Sequence, residues 1–328
     1  SDTARRGLDE EFAIGDSGFE RLAAELETFK AACGIVRTGL VKTGDPVSSR
    51  LEDPGSLFDA LAKPGLVLEL EELVVLNRFV RSALAIGRQL RHLVEEGVVA
   101  SGGAGNRRLP SAVEAESGKG DPRLAAGEQW LKRRLADLPN LKPLELLLNR
   151  YLDEAGVLKE DQIPELRQAR QRILNAQGDL RKAAQSILAS KSDILSGEFA
   201  TIRDGRMVIP LKADHKGRLP GIVHQSSATG ATLFMEPFEL VERNNACAEA
   251  ESQWAMALVA VLRTLTTNLA NAVGDLSRSA DLLADLDRVW CRARYSALHD
   301  CWPAQPGNAI RLDQARHPLL GKKAIPID

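Results

Sequence analysis

Phe199-Ala-Thr-Ile-Arg203, Asp204-Gly205 and Arg206-Met-Val-Ile-Pro-Leu211 are the residues on which the fold turns. The first and third stretches have strand chemistry, and the Asp-Gly pair between them suits the two-residue turn of a tight hairpin. Pro210 has no N–H to give to a ladder, which predicts an edge strand or a bulge there. Leu219–His224 and Ala231–Met235 read as two more short strands, joined by the polar turn Gln225-Ser-Ser-Ala-Thr-Gly230. Ser196-Gly197 stops what comes before, and Pro237 opens what comes after.

On both sides of this β module the period is helical. Upstream, Pro164 suits the first turn of a helix in which Leu166, Ala169, Ile173, Ala176, Leu180, Ala183 and Ile187 step by three or four. Seven turns span about 40 Å. The outer surface of this helix carries Arg167, Arg170, Arg172, Arg181, Lys182 and Lys191 against Glu165 and Asp179, an excess of four positive charges. Downstream, the helical period runs from Pro237 almost to Pro303 along Trp254, Leu258, Val261, Leu265, Leu269, Ala272, Leu276, Leu283, Leu286, Trp290 and Ala293. One unbroken helix of that length would reach about 95 Å, so a break is predicted near Gly274. Trp254 and Trp290, at helical spacing, read as core residues.

Further out, Leu66–Val94, Leu124–Leu138 and Leu144–Leu152 are helical, with residues 100–122 a polar, Gly-rich loop. Phe19–Lys30 reads as a short amphipathic helix, and residues 308–312 as a strand. The fold class is therefore mainly α: an elongated lever of long helices with a small β module inserted between two antiparallel ones.

Composition limits the chemistry. Aromatic residues make up 4% of the chain, so its cores must be built from Leu, Ala, Val and Ile. A formal charge of −2 gives no global attraction to nucleic acid, and any such binding needs a local patch. Cys33, Cys247, Cys291 and Cys301 have neither CxxC nor zinc spacing and read as buried, reduced thiols. No stretch suits a membrane span, and a cytoplasmic protein without membrane contact is the default. Gly118-Lys119 is followed by Gly120 where a phosphate loop needs Ser or Thr, and Gly-x4-Gly-Lys-Ser/Thr occurs nowhere in the 328 residues. No catalytic, cofactor or metal residue is predicted in this chain.

Asp204-Gly-Arg-Met-Val-Ile-Pro-Leu-Lys212, Gly221-Ile-Val-His-Gln-Ser-Ser-Ala-Thr-Gly-Ala-Thr-Leu-Phe-Met-Glu-Pro237 and Val241-Glu-Arg-Asn-Asn245, in that order, resemble the MutS family in its second bacterial branch, the one associated with recombination and stalled ribosomes. Asp153-Glu-Ala-Gly156, Pro164–Arg170 and Arg316-His-Pro-Leu-Leu320 extend the resemblance over about residues 144–328. It implies a lever at 66–196 and 246–301, a clamp at 197–245, and the start of a truncated ATPase domain at 302–328. Residues 1–65 form an N-terminal segment outside that assignment. The phosphate loop and nuclease domain of the parent would follow Asp328, so this chain is not expected to hydrolyse ATP. The parent would be a homodimeric ATPase using ATP and magnesium. It would act on duplex, mismatched or branched DNA in repair and in suppressing recombination. The alternative implied is a ribosome- or protein-binding scaffold of a ribosome-rescue ATPase.

Arg203, Arg206, Lys212, Lys216 and Arg218 face only Asp204 and Asp214 between residues 203 and 218, and are the predicted nucleic-acid contacts. A tip this small cannot bury so many charges, and phosphate contacts would position DNA without reading its bases. Ser226, Ser227 and Thr229 with His224 have the residue types of a nucleophile loop, but no acid in the sequence is matched to the His, and a hydroxyl-capped turn accounts for them. Glu236-Pro237 and Asn244-Asn245 are expected to fix the strand-to-helix junction by capping and side-chain hydrogen bonds. His317 reads as a turn residue.

Overall fold

The computed structural model describes residues 54–95, 122–299, 312, 314–317, 319–320 and 324–328. The helix expected at Phe19–Lys30, most of the Gly-rich loop, the strand at 308–312 but for Leu312, Cys33 and Cys301 lie outside them. The described chain is mainly α with one small antiparallel sheet. Its helices are α1 (Gly55–Leu61), α2 (Leu70–Glu95), α3 (Pro122–Ala136), α4 (Lys142–Tyr151), α5 (Pro164–Ser190), α6 (Phe238–Asn271) and α7 (Val273–His299). Its strands are β1 (Thr201–Arg203), β2 (Arg206–Lys212), β3 (Gly221–Ser226) and β4 (Thr232–Pro237). Two compact units form, one from Pro54–Arg81 and Asn140–Ser277, the other from the described residues of 82–139 and 278–328.

The first unit is organised by α5 and α6. Pro164 sits in the first turn of α5, and Ile163 before it is extended (φ −97°, ψ 109°), as a residue preceding proline prefers. Leu166, Ala169, Ile173, Leu180, Ala184 and Ile187 make its buried stripe. Leu180, Ala184 and Ile187 share a core with Leu240 and Cys247 of α6, while Arg172 further back reaches Gln253 at 2.8 Å. The two helices therefore run antiparallel. Towards the far end of α6, the buried hydroxyl of Thr266 accepts the Leu68 N–H at 3.0 Å. Gly156, in the turn after α4, has φ +87°, and a Cβ there would lie 2.7 Å from Val74 Cγ1, so both backbone and packing demand glycine. The helical break falls at Ala272, two residues before the predicted Gly274, and the Ala272 carbonyl already accepts the N–H groups of Asp275 and Leu276.

The second unit packs the later part of α2, α3 and most of α7. Leu283, Leu286, Val289, Trp290 and Ala293 are buried, and Arg134 pairs with Asp285 at 3.5 Å. Trp290 is a core residue as expected, whereas Trp254 in the first unit is half-buried. Cys247 is buried but Cys291 is exposed, departing from the expectation of buried thiols. His317 lies in a turn, its carbonyl accepting Leu320 N–H. Among the described residues no single helix is long and apolar enough to cross a membrane.

The sheet has the order β1-β2-β4-β3, with every pairing antiparallel. Asp204 (φ 48°) and Gly205 (φ 74°) both take positive φ, as a two-residue hairpin turn requires. Ile209, Leu211 and Met235 project from one face into the α5–α6 core. β2 is central in the sheet, contrary to the edge position predicted from Pro210, and it carries no bulge. Pairing with β1 ends at Val208, and Pro210 points its backbone away from β4 to accept the Ser196 N–H at 3.0 Å. Its missing N–H thus costs the ladder nothing. The bulge lies instead in β3, between Val223 and Gln225, at His224.

Candidate functional site

The charged residues of the β module fall into an inward and an outward set. The inward set is built on Glu236, the penultimate residue of β4, which is 1% exposed. Arg206 opens β2 and lays its guanidinium along the Glu236 carboxylate, with Nε 3.0 and 3.1 Å from the two oxygens and Nη2 2.6 Å from Oε1. The bulge in β3 aims His224 at the same group, with Nε2 2.7 Å from Oε2. Asn244 of α6 donates to Oε1 at 2.8 Å. Burial raises the Glu236 carboxyl, but the hydrogen bonds from Arg206, His224 and Asn244, with the charge of Arg206, outweigh it and hold the group below its ordinary 4.5.

Asn244 also completes the sheet. Met207 turns its backbone toward the β4 side, but there the chain has reached Pro237 and is leaving for α6. The Asn244 carboxamide takes the place of the missing strand residue, accepting Met207 N–H at 2.9 Å and donating to Met207 O at 3.1 Å. Asn245 accepts from Arg206 Nη1 at 2.8 Å. Glu236-Pro237 and Asn244-Asn245 therefore fix the strand-to-helix junction by side-chain hydrogen bonding; no side chain caps α6.

His224 does have an acid partner, contrary to the sequence reading, and that partner holds it inside the junction. The nearby hydroxyls close the β3–β4 turn instead. Ser227 Oγ accepts Thr232 N–H at 3.1 Å, Ser227 O accepts Gly230 N–H at 2.8 Å, and Gly230 takes φ +72°. Among the described residues no cluster suits a metal ion.

The outward set gathers around Asp193, just past the end of α5. Lys212 donates to the Asp193 carbonyl at 3.0 Å, and Arg218 pairs with its carboxylate at 3.4 Å. These contacts set Asp193, two residues after Lys191, against the turn 213–218. Lys191, Lys212, Lys216 and Arg218 are all exposed there. Of the five basic residues singled out in the sequence, three thus lie together. Arg206 is turned inward to Glu236. Arg203 stacks its guanidinium 4.5 Å over the Phe234 ring. The sequence pointed to side-chain hydrogen bonds at Glu236-Pro237 and Asn244-Asn245, but not to Arg206 and His224 as their partners.

Part of the chain matches known proteins. The chain is 36% identical to the Endonuclease MutS2 of Pelotomaculum thermopropionicum over 195 residues, 58% of this chain and 25% of that protein. It is 34% identical to the Endonuclease MutS2 of Bacillus velezensis over 203 residues, 61% of this chain and 26% of the relative. The similarity to MutS2 proteins thus extends over about three-fifths of this chain. With the Endonuclease MutS2 of Thermotoga maritima it shares 32% identity over 199 residues, 60% of this chain and 26% of that MutS2. The chain spans about a quarter of the length of the MutS2 relatives it matches. No family model matches it.

Proposed function

We propose that the β module is the clamp of a MutS2-type ATPase and grips the phosphate backbone of duplex or branched DNA, with α5 and α6 as the lever behind it. The observation that carries this is the convergence on Asp193, which concentrates the exposed cations Lys191, Lys212, Lys216 and Arg218. Cations held on two short turns suit contacts that position a backbone without reading sequence. Arg206 then serves the clamp by holding its junction, and Arg203 by covering Phe234. In the parent, ATP and magnesium would act in another domain and homodimerisation would bring two clamps to one duplex, in repair or in suppressing recombination.

The test is titration of linear and branched duplexes across a salt series with Lys212→Gln, Lys216→Gln and Arg218→Gln combined. Three lost phosphate contacts should reduce the slope of log affinity against log salt by about 3, equally for all sequences. An unchanged slope in the folded variant rules the turn out. A second reading, a ribosome- or protein-binding scaffold, draws on Phe199 and Ile202, which are 79% and 64% exposed around β1. Phe199→Ser with Ile202→Ser would then abolish ribosome co-sedimentation while leaving DNA affinity intact.

A further inference from the structure

The five basic residues of α5 and Lys191 just past it do not share one face. At 100° per residue, Arg170, Arg181 and Lys182 lie within about 60° of Arg167 around the axis, as do Gln171 and Gln185. Arg172 falls on the opposite flank and donates to Gln253, and Lys191 lies beyond the last turn. Both acids of the helix, Glu165 and Asp179, lie about 120° or more from Arg167, so this flank holds four cations and no carboxylate. All four are exposed. Among the described residues, Lys182 alone of them is in an ion pair, a 3.8 Å contact with Asp179 in which both side chains are more than two-thirds exposed. Such a pair adds little and is readily exchanged for another anion.

Gly178 provides an independent observation. It sits on the same flank, between the Arg167–Arg170 and Arg181–Lys182 pairs, inside a helix of 27 residues. A glycine there costs helix stability relative to alanine. Its own fold does not ask for it: φ is ordinary, and a Cβ would meet nothing within 4 Å. A gap in the side-chain surface between two cationic pairs, unused by the chain itself, suits a close external approach to the helix backbone.

We infer that this flank of α5 is a second nucleic-acid surface, separate from the clamp turn, along which one strand of a duplex lays its phosphates across Gly178. Arg167 to Lys182 spans about 22 Å of helix, long enough for phosphates at both ends. The two glutamines add neutral hydrogen-bonding groups that do not repel the strand. The inference rests on the clamp reading only in taking DNA as the ligand; its residues are different.

The experiment measures binding of a fluorescent random-sequence duplex of about 30 base pairs to the full 328-residue chain at several salt concentrations. Replacing Arg167, Arg170, Arg181 and Lys182 together with Gln should weaken binding at least about tenfold and lower the salt slope by about 3.6. Gly178→Leu fills the gap without changing charge. It should raise the melting temperature, because leucine is the better helix former, yet weaken binding by about threefold or more. A merely structural glycine would give the first effect without the second.

The clamp-turn variant runs in parallel. If it alone weakens binding, the α5 surface is wrong and the clamp reading stands. If the α5 variants alone weaken it, the reverse holds. If neither does, or the unmodified chain binds no duplex at low salt, both fall. Loss of binding to anionic phospholipid vesicles by the α5 variant, with duplex affinity intact, would assign the flank to a membrane surface and overturn the inference.

Discussion

Within the β module, the Glu236 junction and the Asp193 turn handle charge in opposite ways. At the junction, one buried carboxylate is met by Arg206, His224 and Asn244 from three different elements, and little of its hydrogen-bonding capacity is left over. At the turn, Arg218 and Asp193 are each more than half exposed, and their pair leaves the neighbouring lysines in solvent. A buried charge that loses its partner is costly, whereas a surface pair contributes little. The two regions should therefore respond differently to substitution: the junction in stability, the turn in binding.

Glu236→Ala should have the largest effect, leaving Arg206, His224 and Asn244 without their shared acceptor. About 3 kcal/mol of stability should be lost in urea unfolding. A loss below about 1 kcal/mol would erase the contrast with the turn. Asn244→Ala comes next, at about 2 kcal/mol, because it strands both backbone groups of Met207. Asn244→Asp sharpens the point. It keeps an acceptor for Met207 N–H but removes both donations and sets a second carboxylate beside Glu236, so it should recover little of that loss.

A smaller effect is expected from pH. The Glu236 carboxyl is held below its unfolded value, so its contribution is fully present above about pH 4.5 and is lost as pH falls through the folded value. Unfolding midpoints taken from pH 6 down to pH 3 should show this loss, and Glu236→Gln should flatten that part of the profile. The smallest change in stability belongs to the turn. Lys212→Gln, Lys216→Gln and Arg218→Gln together should leave the thermal midpoint within the equivalent of about 0.5 kcal/mol. A larger shift would mean that the Asp193 contacts hold the fold and would blur the distinction between the two regions.

Much of this architecture was readable from local chemistry. Asp204-Gly205 marked the hairpin because few other pairs take positive φ twice, and Pro164 marked the start of α5 because its φ is preset and its N–H is not needed there. Pro210 misled for the same local reason: the rule gives the consequence of a missing N–H but not which side of the strand the missing group faces. The candidate site was readable as a list of cations but not as a surface. Arg203 and Arg206 flank the same turn, yet one meets Phe234 and the other Glu236, partners about 30 residues away in sequence.

The sequence by itself determined the helical stripes, the hairpin, the overall α-with-small-β class and the local excess of positive charge, because each follows from period, turn chemistry or residue count within a short window. The tertiary structure alone decided which charges are available. A β-bulge at His224 and the departure of the chain at Pro237 into α6 bring Glu236 and Asn245 against Arg206, with His224 and Asn244 on the same carboxylate, and the turn after α5 brings Asp193 against Lys212 and Arg218. Whether a cation is satisfied depends on the distance to an anion, and that distance is set by long-range contacts the local pattern does not encode.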